Sequence, residues 1–189
     1  MVWSIPAKEK ELYLTFDDGP HETATPFILD QLKQFNAKAT FFCLGKNVKQ
    51  FPHIYERMLD DGHAAGNHTY DHTNGWQAKN DEYVKSITEA AKYIDSKLFR
   101  PPYGKISPFV SKLIRKKLGF KIIMWNVLSA DFDENLSPEK CAENVLLYSK
   151  PGSIIVFHDS TKAWKRMSFA LPKILDYFTQ QGFVFKVIV

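Results

Sequence analysis

Leu12-Tyr13-Leu14-Thr15-Phe16-Asp17-Asp18-Gly19-Pro20 is the stretch from which the rest of the chain can be read. Its alternating apolar run, Leu12 to Phe16, predicts a buried strand. The strand runs into two adjacent carboxylates, and Gly19-Pro20 ends it and turns the chain. Neighbouring side chains on an extended backbone point in different directions, so Asp17 and Asp18 are not expected to share one role. One can bind a metal while the other handles a proton. An isolated Asp-Asp-Gly is more often a solvated acidic turn, so the remainder of the chain has to decide between the two.

Working outward, a repeated punctuation shows how the chain is built. Four times a helical pattern ends in Asn or Gly and a strand follows: at Asn36, Gly62, Gly119 and Gly182. Both residue types tolerate the left-handed conformation that closes a helix. Between these sites lie amphipathic stripes: Phe27, Ile28, Leu32 and Phe35; Val84, Ile87, Ala91, Ile94 and Leu98; and Met167, Leu171, Ile174 and Phe178. Pro172 predicts that the last regular helix begins close to it. Ser137-Pro138-Glu139 predicts a cap and first turn for a helix towards Tyr148. Short helices are expected in 46–60 and a loop over 69–80. The strand candidates are 11–17, 38–44, 63–67, 98–100, 121–128, 153–158 and 183–188. Strands alternating with helices at this spacing predict parallel βαβ units. The expected fold class is therefore α/β: a distorted, incomplete (β/α) barrel of about seven parallel strands, with residues 1–189 as one domain.

Composition excludes several classes. Of the 189 residues, 44% are hydrophobic and 24% charged, the balance of a folded globular chain rather than a disordered one. The net charge of +4 is mild, and the one tight basic cluster, Lys112 with Arg115-Lys116-Lys117, reads as a solvated helix face rather than a nucleic-acid site. No apolar run approaches the roughly 18 residues of a membrane span. Met1 to Pro6 lacks the basic and apolar regions of a signal peptide, so the expectation is either a cytoplasmic protein or one whose targeting segment lies outside this sequence. Cys43 and Cys141 match no metal spacing, and Cys43 is expected as a buried free thiol. A monomer is expected.

Five further stretches bear chemistry. His68-Thr69-Tyr70-Asp71-His72 places two imidazoles four residues apart, on one face if the segment is a helical turn. Two His and one carboxylate form a three-ligand set for catalytic zinc with one position open, and Asp17 or Asp18 can supply the carboxylate. Arg100-Pro101-Pro102-Tyr103-Gly104 is stiffened by two prolines and offers a fixed cation with a backbone N–H beside it. The strand that includes Trp125 delivers Asp131 and Asp133 to a loop, and Ile154 to His158 is a buried strand ending in an imidazole. Each stretch alone has an ordinary structural explanation. Together, Asp17/Asp18, His68/His72, Arg100, Asp131 and His158 fall at or just past the C-terminal ends of successive predicted strands. In a parallel barrel those ends share the face on which active sites are built.

As an ordered set these motifs resemble the polysaccharide deacetylases of carbohydrate esterase family 4, which share the NodB homology domain. The quoted motifs are Thr15 to Pro20, His68 to His72, Arg100 to Gly104, the Trp125–Phe132 segment and Val156-Phe157-His158. The resemblance implies metal-dependent removal of N- or O-acetyl groups from a glycan, and export or association with the cell envelope. It implies Asp18, His68 and His72 as ligands of one divalent ion; the chemistry of an Asp-His-His set favours Zn²⁺ first and would also accept Co²⁺, Ni²⁺ or Fe²⁺. It implies Asp17 as base paired with Arg100, the Tyr103 N–H as oxyanion donor, and His158 as an acid tuned by Asp131. Trp125, Phe132 and Val156 would wall the substrate pocket. Three positions depart from the family pattern: Leu128 where an Asp is usual, Phe132 where a Trp is usual, and Val156 where a Leu is usual. They bear on the choice of substrate. Two other readings remain at this stage, a deacylase of a small non-glycan amide and a carbohydrate-binding protein without turnover.

Overall fold

The computed structural model describes residues 1–6 and 9–189. The elements follow in the order β1 (Glu11–Asp17), α1 (Ala24–Gln34), β2 (Ala39–Cys43), α2 (Gly45–Gln50), α3 (Pro52–Asp60), β3 (Ala64–Asn67), α4 (Asn80–Ala90), β4 (Leu98–Phe99) and a 3₁₀ turn (Pro102–Gly104). Then come α5 (Pro108–Lys117), β5 (Lys121–Ile122), β6 (Val127–Leu128), α6 (Pro138–Tyr148), β7 (Ile154–His158), α7 (Trp164–Gln180) and β8 (Val184–Phe185). The residues that close the predicted helices are left-handed at all four sites, with φ of 49° at Asn36, 79° at Gly62, 73° at Gly119 and 77° at Gly182.

All the named strand pairs are parallel, in the order β5-β4-β3-β2-β1-β7-β6, and β8 pairs with the start of β1. The two ends of this path, β5 and β6, are consecutive in sequence and joined only through Ile123 to Asn126. A flat sheet of that many strands would hold its edges about 29 Å apart. Five extended residue steps reach only about 18 Å. The sheet must curl until its edges approach, which makes it an incomplete barrel. The same geometry corrects the predicted strand 121–128: it is two short strands, because the chain leaves one edge and enters the other. Val2 pairs in parallel with Ile123 across that opening.

Strand alternation sorts the side chains. In β1, Leu12, Leu14 and Phe16 face the helices in the largest buried cluster, shared with α1, α6 and α7. Tyr13 points the other way, into an interior cluster with Phe42, Leu98, Ile123, Ile154 and Ile188. Thr15 and Asp17 fall on that same inner side, as do Val156 and His158 along β7. A third cluster, around Tyr83, Phe99 and Ile114, fixes α4 and α5 to the sheet.

Two local expectations are overturned. The last helix begins at Trp164 rather than near Pro172, and it carries the proline inside. Proline removes one N–H from the ladder, and the buried face of Met167, Ala170, Leu171, Ile174, Leu175 and Phe178 outweighs that loss. The stripe that starts at Val84 belongs to a helix only as far as Ala90, after which Leu98 is already in β4. Cys43 and Cys141 are buried free thiols, and burial pushes the Cys43 thiol well above its ordinary pKa. The Arg115-Lys116-Lys117 cluster is the exposed last turn of α5. No helix among the described residues is long and apolar enough to cross a membrane.

Candidate active site

The register of β1 and β7 sets Asp17 directly opposite His158. Asp17 is 3% exposed, and a carboxylate that buried requires a partner. Arg100, just past β4 and fully buried, supplies it: Nη1 donates to Asp17 Oδ1 and to Thr15 Oγ1, both at 2.7 Å. The other guanidinium donors go to the Met124 carbonyl at 2.8 Å and the Ile123 carbonyl at 3.3 Å. The guanidinium also lies 4.1 Å from the centre of the Phe42 ring. Burial pulls the Arg100 pKa below its ordinary value, and Asp17 opposes that pull. With Oδ1 held, Oδ2 of Asp17 is left 3.9 Å from His68 Nε2.

His68 and His72 meet, although not through a helical turn as expected. The segment is irregular, with Thr69 and His72 left-handed at φ of 68° and 65°. Asn67 Oδ1 accepts the Thr69 N–H, and the first N–H groups of α2, from Gly45 and Lys46, donate to the Thr69 and Tyr70 carbonyls. His68 Nδ1 lies 2.7 Å from the Arg100 carbonyl. A carbonyl only accepts, so Nδ1 carries the proton and Nε2 presents a lone pair. Burial lowers the His68 pKa to about 4 against the pull of Asp17 and Asp18, so the ring is neutral.

Asp18 completes the group. Its Oδ1 is buried with no hydrogen-bond partner and lies 3.8 Å from His68 Nε2 and 3.2 Å from His72 Nε2. One ligand atom from each of Asp18, His68 and His72 lies within 4.8 Å of the others. The unpartnered Asp18 oxygen and the lone pair of His68 Nε2 both face this point, and a cation placed there attracts both. Two imidazoles and a carboxylate are a donor set that suits a divalent ion. The residues present therefore fit a metal.

Across the cavity, Asp131 is fully buried. Its Oδ1 accepts from His158 Nδ1 and its Oδ2 accepts the His158 backbone N–H, each at 2.7 Å. Burial works against a charged His158, but the Asp131 charge and hydrogen bond, with Asp18 and Asp17 beyond, raise its pKa to about 9. The imidazole is protonated at neutral pH, and its engaged Nδ1 leaves Nε2 free for other partners. Arg166, buried on α7, donates from Nε to the Asp131 carbonyl at 2.5 Å.

These groups surround a cavity of about 410 Å³ whose walls include Tyr103, Trp125, Leu128, Phe132 and Val156. Arg100 and Asp131 stand behind it. Tyr103 sits in its turn at φ of 58°, with its ring edge-on to His72 at 4.5 Å. The Gly104 and Lys105 N–H groups close back on Pro101 and Pro102, which leaves the Tyr103 N–H outside the turn's own bonds. Phe132 packs edge-on against His158 at 5.4 Å. Among the described non-glycine residues, every positive φ except that of Asn36 falls in these loops: Asp18, Thr69, His72, Tyr103 and Ala130. Left-handed backbone costs of order 1–3 kcal/mol at a non-glycine residue, and it persists where surrounding contacts over-determine it.

A family model described as polysaccharide deacetylase matches residues 4–123. The chain belongs to the polysaccharide deacetylase family. A peptidoglycan-N-acetylglucosamine deacetylase of Bacillus cereus is 39% identical over 188 residues, spanning 96% of this chain and 68% of the relative. A chitooligosaccharide deacetylase of Azorhizobium caulinodans is 36% identical over 166 residues, spanning 82% and 76%. The crystal structure of the Bc1960 peptidoglycan N-acetylglucosamine deacetylase, in complex with 4-naphthalen-1-yl-N-oxidanyl-benzamide, is similar with a TM-score of 0.93 at 37% identity, covering 99% of this chain and 90% of that one.

Within this deacetylase fold, sequence reasoning passed over several residues. Lys162 stands on the cavity wall, on a loop whose course no sequence signal reveals. Arg166 and Asn47 read as ordinary helix residues. Asp159 is the largest omission. It follows His158 directly and is buried, with Oδ1 accepting the Gly19 N–H at 2.8 Å and Oδ2 accepting the Thr25 hydroxyl at 2.5 Å. Burial, with Asp18 nearby, raises its pKa to about 8. An acidic residue directly behind a buried strand was the available signal.

Proposed function

We propose that this chain is a zinc-dependent hydrolase that removes the N-acetyl group from N-acetylglucosamine units of a glycan, peptidoglycan first, with residues 1–189 acting as one monomeric catalytic domain. The observation that carries this reading is the meeting, in one cavity, of an Asp-His-His donor set with a carboxylate held by Arg100 and an imidazolium held by Asp131. The relatives named above, for peptidoglycan and for chitooligosaccharides, share N-acetylglucosamine as the acetylated unit.

Asp18, His68 and His72 would hold the ion, which when bound polarises a carbonyl and lowers the pKa of water towards about 7. Asp17 takes a proton from the attacking water at Oδ2, because Arg100 occupies Oδ1. A new C–O bond forms at the acetyl carbon, and the Tyr103 N–H donates to the oxygen that gains charge. An amide nitrogen cannot leave as an anion. His158 gives it a proton from Nε2 while Asp131 steadies the ring through Nδ1, the C–N bond breaks, and acetate and a free amine result. Trp125, Leu128, Phe132 and Val156 exclude water from one side and seat the apolar acetyl methyl group.

The test is acetate release from peptidoglycan and from N-acetylglucosamine oligomers by protein stripped with a chelator and then reloaded. Activity should vanish on stripping and return with Zn²⁺ or Co²⁺. Full activity of the stripped protein, or no release by the loaded protein from either substrate, would overturn the reading.

A further inference from the structure

Asp18 is held at φ of 88°, a left-handed conformation uncommon for a non-glycine residue, although Asp adopts it more readily than most. Four hydrogen bonds hold it there. The Asp18 N–H donates to the Phe42 carbonyl at 3.2 Å, and the Gly19 carbonyl accepts from the Leu44 N–H at 2.9 Å. Between them lies the Asp18–Gly19 peptide, and both of its polar atoms are taken by side chains. Asn47 Nδ2 donates to the Asp18 carbonyl at 2.7 Å, and Asp159 Oδ1 accepts the Gly19 N–H at 2.8 Å.

The orientation of that peptide sets where the Asp18 side chain points. Asp159 is itself well anchored. Its N–H donates to the Asp17 carbonyl at 3.0 Å, which extends the β1–β7 ladder by one step. Its Oδ2 takes the hydroxyl of Thr25, whose Oγ1 accepts the His21 N–H at 2.7 Å. The fit is tight: a Cβ on Gly19 would lie 1.8 Å from Asp159 Oδ2. A carboxyl group taken out of water, beside the cavity but absent from its walls, must have its oxygens satisfied, and the Gly19 N–H and the Thr25 hydroxyl satisfy both.

We propose that Asp159, with Asn47 opposite, is a positioning residue for the metal site: the two clamp the Asp18–Gly19 peptide from either side and so aim the Asp18 carboxylate at His68 and His72. The inference rests on the metal-binding reading above. It assigns Asp159 no contact with substrate. Residues that orient ligands from behind alter metal affinity by about 10–100-fold when removed.

The experiment measures Co²⁺ affinity by chelator competition and the visible d–d absorption of the Co²⁺-loaded protein, with circular dichroism as the check on folding. Asp159→Ala should weaken Co²⁺ binding by about 10–100-fold and shift the d–d bands. Asp159→Asn keeps an oxygen for the Gly19 N–H and should return both readouts to within a few-fold of wild type. Asn47→Ala, which removes the opposite clamp, should move both in the same direction as Asp159→Ala. If Asp159→Ala does not fold, Asp159→Asn and Asn47→Ala carry the test. Folded Asp159→Ala or Asn47→Ala protein with wild-type affinity and bands would overturn the proposal, as would Asp159→Asn behaving no better than Asp159→Ala. Failure of wild type to bind Co²⁺, or equal binding by Asp18→Ala, would instead refute the metal-binding reading itself.

Discussion

Replacing Asp131 by Asn removes the charge that keeps His158 protonated while preserving shape. His158 rises from an ordinary 6.5 to about 9, and Asp131 is the main source of that rise against burial. A rise of about 2.5 pH units corresponds to about 3.4 kcal/mol favouring the charged ring. Without the carboxylate, burial works with less opposition, and the alkaline limb of the pH–rate profile should fall by about 2 pH units. Proton population alone then makes the wild-type advantage grow by about 10-fold between pH 6 and pH 8. The assay is turnover on an N-acetylglucosamine oligomer over pH 5.5–9.5, with metal occupancy measured in parallel. A stability readout carries the same sign. Because the folded pKa lies above the unfolded one, the pair's contribution is complete below about pH 6.5 and is lost as pH rises through about 9. The difference in Tm between wild type and Asp131→Asn should narrow over that window. A wild-type to variant rate ratio that stays constant from pH 6 to pH 9, in folded and metal-loaded protein, would refute the pairing as the source of the acid.

The other expectations are more direct. Asp17→Asn should keep its metal, since Arg100 can still bond the amide oxygen, while turnover falls by roughly 10²–10⁴; Asp18→Asn should lose metal affinity, and the opposite pattern, read by metal analysis, would mean that the two roles are exchanged. Arg100→Ala strands the buried Asp17 charge and frees two carbonyls, so urea unfolding at pH 7 should show a loss of about 3–5 kcal/mol; a loss under about 1 kcal/mol would show that Asp17 does not depend on this partner.

Local chemistry was legible without coordinates. Left-handed closures at Asn36, Gly62, Gly119 and Gly182 announce themselves because few residues tolerate them. The alternation within each strand follows from a period of two, which puts Thr15 and Asp17 on one side of β1 and Val156 and His158 on one side of β7. The order of the motifs along the chain marks one end of a parallel sheet as the end that carries chemistry. Tertiary structure decided the rest, because the deciding contacts join residues remote in sequence. Strand 121–128 had to split where a curled sheet brings its own edges together. The helix through Pro172 exists because a long apolar face repays one missing hydrogen bond. His68 and His72 converge through two left-handed residues braced by the start of α2, where helical spacing would have reached the same result by another route. Asp159 could be noticed behind its strand, but its role could not be read, because its partners, Gly19 and Thr25, lie more than a hundred residues away and approach only once β7 pairs with β1. A sequence specifies which groups are available and how each short stretch bends; which buried carboxylate meets which donor depends on register and on exclusion of water, and both are properties of the assembled sheet.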